Sequence, residues 1–119
     1  MIQSFNKIEK VSCSLTLPGD KSISHRALIF SALANGESEI TNLPQNDDVK
    51  STINCLQQLG IQINEEANST KVYGRGFKGF LKPDKPLQAG NSGTTARLLS
   101  GILAAQNFDS IIKGDDSLE

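Results

Sequence analysis

Leu17-Pro18-Gly19-Asp20-Lys21-Ser22-Ile23-Ser24-His25-Arg26 is the stretch on which the reading of this chain turns. Pro18 and Gly19 break an apolar alternation, and Asp20 or Ser22 can cap a helix that follows. The start of a helix leaves backbone N–H groups unpaired and carries partial positive charge. Ser22 and Ser24 add hydroxyls there, and Lys21 and Arg26 add two full charges. Such a turn suits a phosphate. The same residues also fit an ordinary strand–turn–helix with basic side chains on its surface.

Upstream, Val11, Cys13, Leu15 and Leu17 alternate with Ser12, Ser14 and Thr16, which predicts a strand. Cys13 is expected to be buried in it. Downstream, Ser22 to Ala34 reads as a helix apolar almost all round, hence a buried one, closed by Asn35-Gly36. Ser38 to Leu43 predicts a short strand with Ile40 inward. Pro44-Gln45-Asn46-Asp47-Asp48 opens a second helix, with caps and acidic residues at its positive end. Its apolar stripe is Val49, Ile53, Leu56 and Leu59, its wet side Lys50, Asn54, Gln57 and Gln58, and Gly60 ends it. Cys55 falls on this helix. Ile61 to Asn64 and Thr70 to Tyr73 predict a hairpin around Glu66 to Ser69.

Gly74-Arg75-Gly76, Gly79 and Lys82-Pro83-Asp84-Lys85-Pro86 read as a connector. Leu87-Gln88-Ala89-Gly90-Asn91-Ser92-Gly93-Thr94-Thr95-Ala96-Arg97 then leads into a helix through about Ala105. A short strand over Asp109 to Lys113 and a turn at Gly114-Asp115-Asp116-Ser117 follow.

Moving the chain 71 positions along itself reveals a repeat: Gly19-Asp20 falls on Gly90-Asn91, Ser22 on Gly93, Arg26 on Arg97, Leu28 on Leu99 and Ile40 on Ile111. With a small gap, Asp47-Asp48 also falls on Asp115-Asp116. Two related loop–helix starts can aim N–H groups at neighbouring places. One holds a phosphate, and the other admits a second anion close to its backbone at Gly93.

With 119 residues, the chain suits one domain with a core. Its 12 Lys and Arg against 13 Asp and Glu exclude the general basic field that bulk nucleic-acid binding needs. One His, two Cys and no Cys-x-x-Cys pattern leave no zinc site and no disulfide framework. The first residues lack the apolar stretch of a signal peptide, and no apolar run is long enough to span a membrane. Asn68-Ser69-Thr70 fits a glycosylation sequon but reads as a polar turn, and a reducing cytoplasm is the expected compartment.

Pro18-Gly19-Asp20-Lys21-Ser22-Ile23-Ser24-His25-Arg26-Ala27 resembles the N-terminal signature of the 5-enolpyruvylshikimate-3-phosphate synthases. Gly90-Asn91-Ser92-Gly93-Thr94-Thr95-Ala96-Arg97-Leu98-Leu99 resembles the second signature of that family. Asn46-Asp47-Asp48-Val49 and Gly114-Asp115-Asp116-Ser117-Leu118 are similar to its acidic turns, in the same order. The resemblance implies an α/β (α+β) fold of repeated βαβαββ units. On that plan 1–17 is an N-terminal strand region and 18–73 the first unit, with a connector over 74–89 and an incomplete second unit over 90–119. Because the second repeat stops after one helix and one strand, the chain reads as an N-terminal fragment.

The resemblance also implies a reaction. The carboxyvinyl group of phosphoenolpyruvate moves to the 5-hydroxyl of shikimate 3-phosphate and phosphate leaves, on the route to chorismate and the aromatic amino acids. No metal or organic cofactor is implied. Lys21 matches the lysine that contacts both substrates and is the catalytic candidate. Ser22 and Arg26 match residues that hold shikimate 3-phosphate, and Gly93 matches the glycine beside phosphoenolpyruvate, with Asn91 and Thr94 flanking it. Asp48 matches an acidic residue on the shikimate side, although a helix-cap role explains it equally well.

Ser92, Leu98 and His25 stand where many relatives carry Ala, Pro and Asn; a subset with the present forms is associated with reduced glyphosate sensitivity. His25 is expected to pack beside the site. Later family motifs, an arginine that binds phosphoenolpyruvate among them, are not in this chain, so the 119 residues alone are expected not to turn over. The expected partners are the two small anions, with no nucleic acid and no membrane. The whole enzyme is expected to be a monomer, and the fragment open to self-association. Two alternatives stand beside this: a UDP-N-acetylglucosamine enolpyruvyl transferase, and a non-catalytic module that binds phosphate or associates with itself.

Overall fold

A computed structural model describes residues 1–7 and 9–118. Its elements are α1 (Lys21–Leu33), β1 (Asn35–Thr41), α2 (Asp47–Gln58), β2 (Gln62–Glu65), β3 (Ser69–Arg75), β4 (Leu87–Gly90), α3 (Gly93–Leu103) and β5 (Ile112–Gly114). This is the mixed α/β content expected of the repeated units.

The stripe on α2 organises the core. Val49, Ile53, Leu56 and Leu59 are all buried, and Leu28 and Ala32 of α1 and Leu99 and Leu103 of α3 join them in one cluster. Asn46 caps α2, its side-chain oxygen accepting from the Val49 N–H at 2.9 Å. Gly60, just past the last turn, takes φ +85°, a left-handed conformation that favours glycine. The predicted hairpin is present as β2 against β3, and β1 pairs with the other edge of β3, giving an antiparallel order β1-β3-β2. Val72 and Thr70 of β3 face inward under the helices. Gly74 lets α1 lie close, because a Cβ there would run into the carbonyl oxygens of Ser31 and Ala34.

Four expectations need correction. Residues 11–17 form no strand among the described residues, and Val11, Leu15 and Leu17 are exposed. Alternation alone does not make a strand; a ladder needs a partner, and here only Leu17 and Gly19 touch the end of β1, through Asn42. Cys13 is accordingly exposed, whereas Cys55 is buried. Helix α1 is not buried all round, for Ile23 and Phe30 lie on an open face. That face borders an apolar groove of about 210 Å³ lined by Arg26, Ile29, Phe30, Leu33, Leu98 and Ile102. Finally, the connector holds structure: β3 continues to Arg75, and Leu87–Gly90 is a strand paired in parallel with β5.

The bounds of other elements moved slightly. The strand predicted over Ser38 to Leu43 is β1, and the one predicted over Asp109 to Lys113 is β5. The repeat survives as geometry. Each half begins α1 or α3 beside the end of a strand, with Gly19 N donating to Asn42 O in the first and Asp115 N to Gly90 O in the second. Leu28 and Leu99, equivalent in the repeat, are both fully buried.

Candidate anion-binding site

Asp20 caps α1: its Oδ1 accepts from the Ile23 N–H at 2.8 Å, and its carbonyl accepts from Ser24 N at 3.0 Å. Among the described residues the N–H groups of Lys21 and Ser22 have no protein partner. They point outward at the positive end of the helix. Ser22 and Arg26 are exposed on the same two turns. The Asp20 carboxylate thus takes one N–H of the turn and leaves two for a ligand.

Lys21 does not stand alone. Its Nζ lies 2.7 Å from Asp48 Oδ2, in the first turn of α2. The lysine side chain is 53% exposed and the carboxylate 24%, so the pair sits at the rim of the structure, within reach of a competing anion. The second loop arrives at the same place, since Thr95 Oγ1 lies 3.4 Å from the carbonyl oxygen of Asp48. Ser92 caps α3, its Oγ accepting from Thr95 N at 3.2 Å. Gly93 follows at the first helical position. A Cβ built there would meet only Leu118 Cδ2, at 3.8 Å, so the space in front of its backbone is open. Asn91 is exposed, its carbonyl accepting from Gly93 N, and Thr94 is half-buried beside it.

The structure therefore brings Lys21, Asp48 and the Gly90–Gly93 loop together, with Ser22 and Arg26 on the adjoining face of α1. A larger open depression of about 470 Å³ lies by the C-terminal end of α3, but its only charged side chain is Asp109, of the wrong sign for an anion. No group of three His, Cys, Asp or Glu among the described residues is placed to hold a metal ion.

Beneath the rim lies a set of four residues, of which the sequence singled out His25 and Ser92 but not Thr52 or Thr95. His25 Nδ1 is 2.7 Å from Thr52 Oγ1, which is 2.7 Å from Thr95 Oγ1, which is 2.7 Å from Ser92 Oγ. All four side chains are buried. Burial holds the His25 pKa below its ordinary value; the Asp48 carboxylate works against that shift and the Lys21 ammonium adds to it. The available signal was a threonine at position 52, inside an otherwise apolar stripe.

A family model described as EPSP synthase (3-phosphoshikimate 1-carboxyvinyltransferase) matches residues 5–119. The chain belongs to the EPSP synthase family. The 3-phosphoshikimate 1-carboxyvinyltransferase of Leuconostoc citreum is 53% identical over 104 residues, 87% of this chain and 24% of that protein. The one from Herpetosiphon aurantiacus is 45% identical over 118 residues, 99% of this chain and 27% of that protein. The solved EPSP synthase from Acinetobacter baumannii superposes with a TM-score of 0.83 at 41% identity, covering 87% of this chain and 24% of that one. The chain thus spans about a quarter of the length of the curated EPSP synthases that it matches. Such a superposition establishes the enolpyruvyl transferase fold, and the family is one of enzymes.

Proposed function

We propose that this chain supplies one wall of an active site that transfers the carboxyvinyl group of phosphoenolpyruvate to shikimate 3-phosphate. One observation carries this reading: the Lys21 ammonium meets the Asp48 carboxylate, and the Asp48 carbonyl accepts from Thr95 in the first turn of α3, two residues past Gly93, so the two segments that the family resemblance assigns to the anions meet at Asp48. In the transfer the 5-hydroxyl gives up its proton as its oxygen bonds to C2 of phosphoenolpyruvate and C3 gains a proton, giving a tetrahedral adduct. Loss of a proton from C3 and cleavage of the bond between C2 and the phosphate oxygen then restore the double bond and release phosphate.

The residues present suit the binding half of this chemistry. Ser22 Oγ, the free N–H groups of Lys21 and Ser22, and the Arg26 guanidinium hold the phosphate of shikimate 3-phosphate at the positive end of α1. Gly93 lets phosphoenolpyruvate approach the backbone at the start of α3, with Asn91 and Thr94 beside it. Lys21 lies between them. Its ammonium, paired with Asp48 in the unliganded protein, turns to the substrates and stabilises the negative charge shared by the two phosphates and the carboxylate. Asp48 orients that ammonium. The wall alone is expected not to turn over, since the later motifs that the family resemblance implies are not among these 119 residues.

A chimera tests the reading. This chain replaces the matching 104 residues of the Leuconostoc citreum relative, and phosphate release from the two substrates is followed. The expected result is turnover within about tenfold of the parent, lost by at least about a hundredfold in Lys21→Ala, the scale of removing one preorganised charge-stabilising donor. A folded chimera without activity, or one indifferent to Lys21→Ala, contradicts it.

A further inference from the structure

Helices α1 and α2 meet in two successive rungs. Lys21 and His25 are one turn apart on α1, and Asp48 and Thr52 are one turn apart on α2, so the same 27-residue spacing joins Lys21 to Asp48 and His25 to Thr52. Both rungs measure 2.7 Å. The first is wet and the second dry. From Thr52 the chain of hydrogen bonds runs on through Thr95 to Ser92, the residue that caps α3 between Asn91 and Gly93. Four side chains thus tie three helices together directly beneath the two loops.

We propose that His25, Thr52 and Thr95 are positioning residues: they fix the offset between the Lys21 loop and the Gly90–Gly93 loop, and with it the fit of the anion that touches both. Apolar packing brings helices together but tolerates small slides. A buried chain of hydrogen bonds does not, since a slide of one residue, about 1.5 Å along the axis, breaks the links that run from helix to helix. The imidazole itself argues for this role. Its Nε2 is buried with no protein partner among the described residues, in a site where a leucine would pack without a polar atom to satisfy. A polar group kept at a cost in a core is best understood as fixing register. His25 is fully buried and so lies out of reach of substrate.

The inference rests on the reading above, in which phosphoenolpyruvate touches Lys21 and Gly93 while shikimate 3-phosphate is held on α1 alone. Its test has two readouts on the isotopically labelled chain. The first needs no ligand: nuclear Overhauser effects between methyl groups of α1 and α3 give the offset of one helix along the other. The second is NMR titration with each substrate separately. Thr52→Val is expected to shift α1 along α3 and to weaken phosphoenolpyruvate on the order of tenfold, the scale of one lost hydrogen bond of the stronger kind, while shikimate 3-phosphate stays within about twofold. Thr52→Ser, which keeps the hydroxyl, and His25→Asn, which keeps a donor near the Nδ1 position, restore both readouts. If Thr52→Val does not fold, the double replacement His25→Leu with Thr52→Val leaves no orphaned ring and gives the same pattern.

Equal weakening of both ligands, or failure of Thr52→Ser to restore, shows a merely structural role and overturns the inference. So does an unchanged offset between the helices. If neither substrate binds the wild-type chain, the functional reading fails, and the methyl distances alone decide whether the chain of hydroxyls sets the offset.

Discussion

Replacing Thr52 by valine keeps the shape of the side chain and deletes a single oxygen. Among the described residues that oxygen is the sole protein partner of the His25 ring, on Nδ1, with none at Nε2. Thr95 is less affected, for it keeps Ser92 Oγ at 2.7 Å and the Asp48 carbonyl at 3.4 Å. The loss therefore falls on the imidazole. Leaving a buried polar group unsatisfied costs about 1–3 kcal/mol, and the second broken link adds about 0.5–1 kcal/mol. We expect Thr52→Val to destabilise the chain by roughly 2–3 kcal/mol, a large share of the 5–15 kcal/mol typical of a domain. Urea unfolding followed by far-ultraviolet circular dichroism measures it, with the slope unchanged. The double variant His25→Leu with Thr52→Val should cost at least about 1 kcal/mol less than the sum of the singles, since both orphaned groups are then gone. A Thr52→Val loss within about 0.5 kcal/mol, or strict additivity, refutes the network's energetics.

Further outcomes follow from the same ring and from other parts of the structure. The His25 pKa is depressed by folding, so the unfolded ring takes up its proton at about the ordinary value of 6.5 and the folded ring only at lower pH. Stability is full above that value and declines as pH falls between the two; His25→Asn should flatten this limb in urea midpoints measured from pH 7.5 to 5. Gly74→Ala should cost about 1–3 kcal/mol by pushing the last turn of α1 off the sheet. Gly101→Ala, in open space on α3, should instead stabilise by about 0.5–1 kcal/mol, both read from thermal melts. Burial pushes the Cys55 thiol up to about 11, so iodoacetamide at pH 8 should modify exposed Cys13 and spare Cys55 until urea unfolds the chain.

What the sequence disclosed and what it hid divide along physical lines. The stripe of α2 and its Asn46 cap were legible, because helix periodicity and capping are decided within a few residues. So was the hairpin over Gln62–Arg75. Val11 to Leu17 misled, since alternation marks a strand only where another strand is available to pair. Leu87–Gly90 went unseen for the opposite reason: four residues with Ala and Gly have low strand propensity, and their partner β5 lies more than twenty residues on. The loop residues Lys21, Ser22, Arg26 and Gly93 were legible through the two signatures. Thr52 and Thr95 were not, because a helical threonine reads as neutral until a partner 43 residues away is placed against it.

The account stands or falls on whether the Lys21 turn holds the phosphate of shikimate 3-phosphate. A ¹⁵N–¹H titration of the labelled chain with that compound measures this directly. Saturable shifts concentrated at Lys21, Ser22 and the first turns of α1, lost in Lys21→Ala and in Arg26→Ala, are the predicted result. No saturable shift there, or shifts that survive both substitutions, would contradict it.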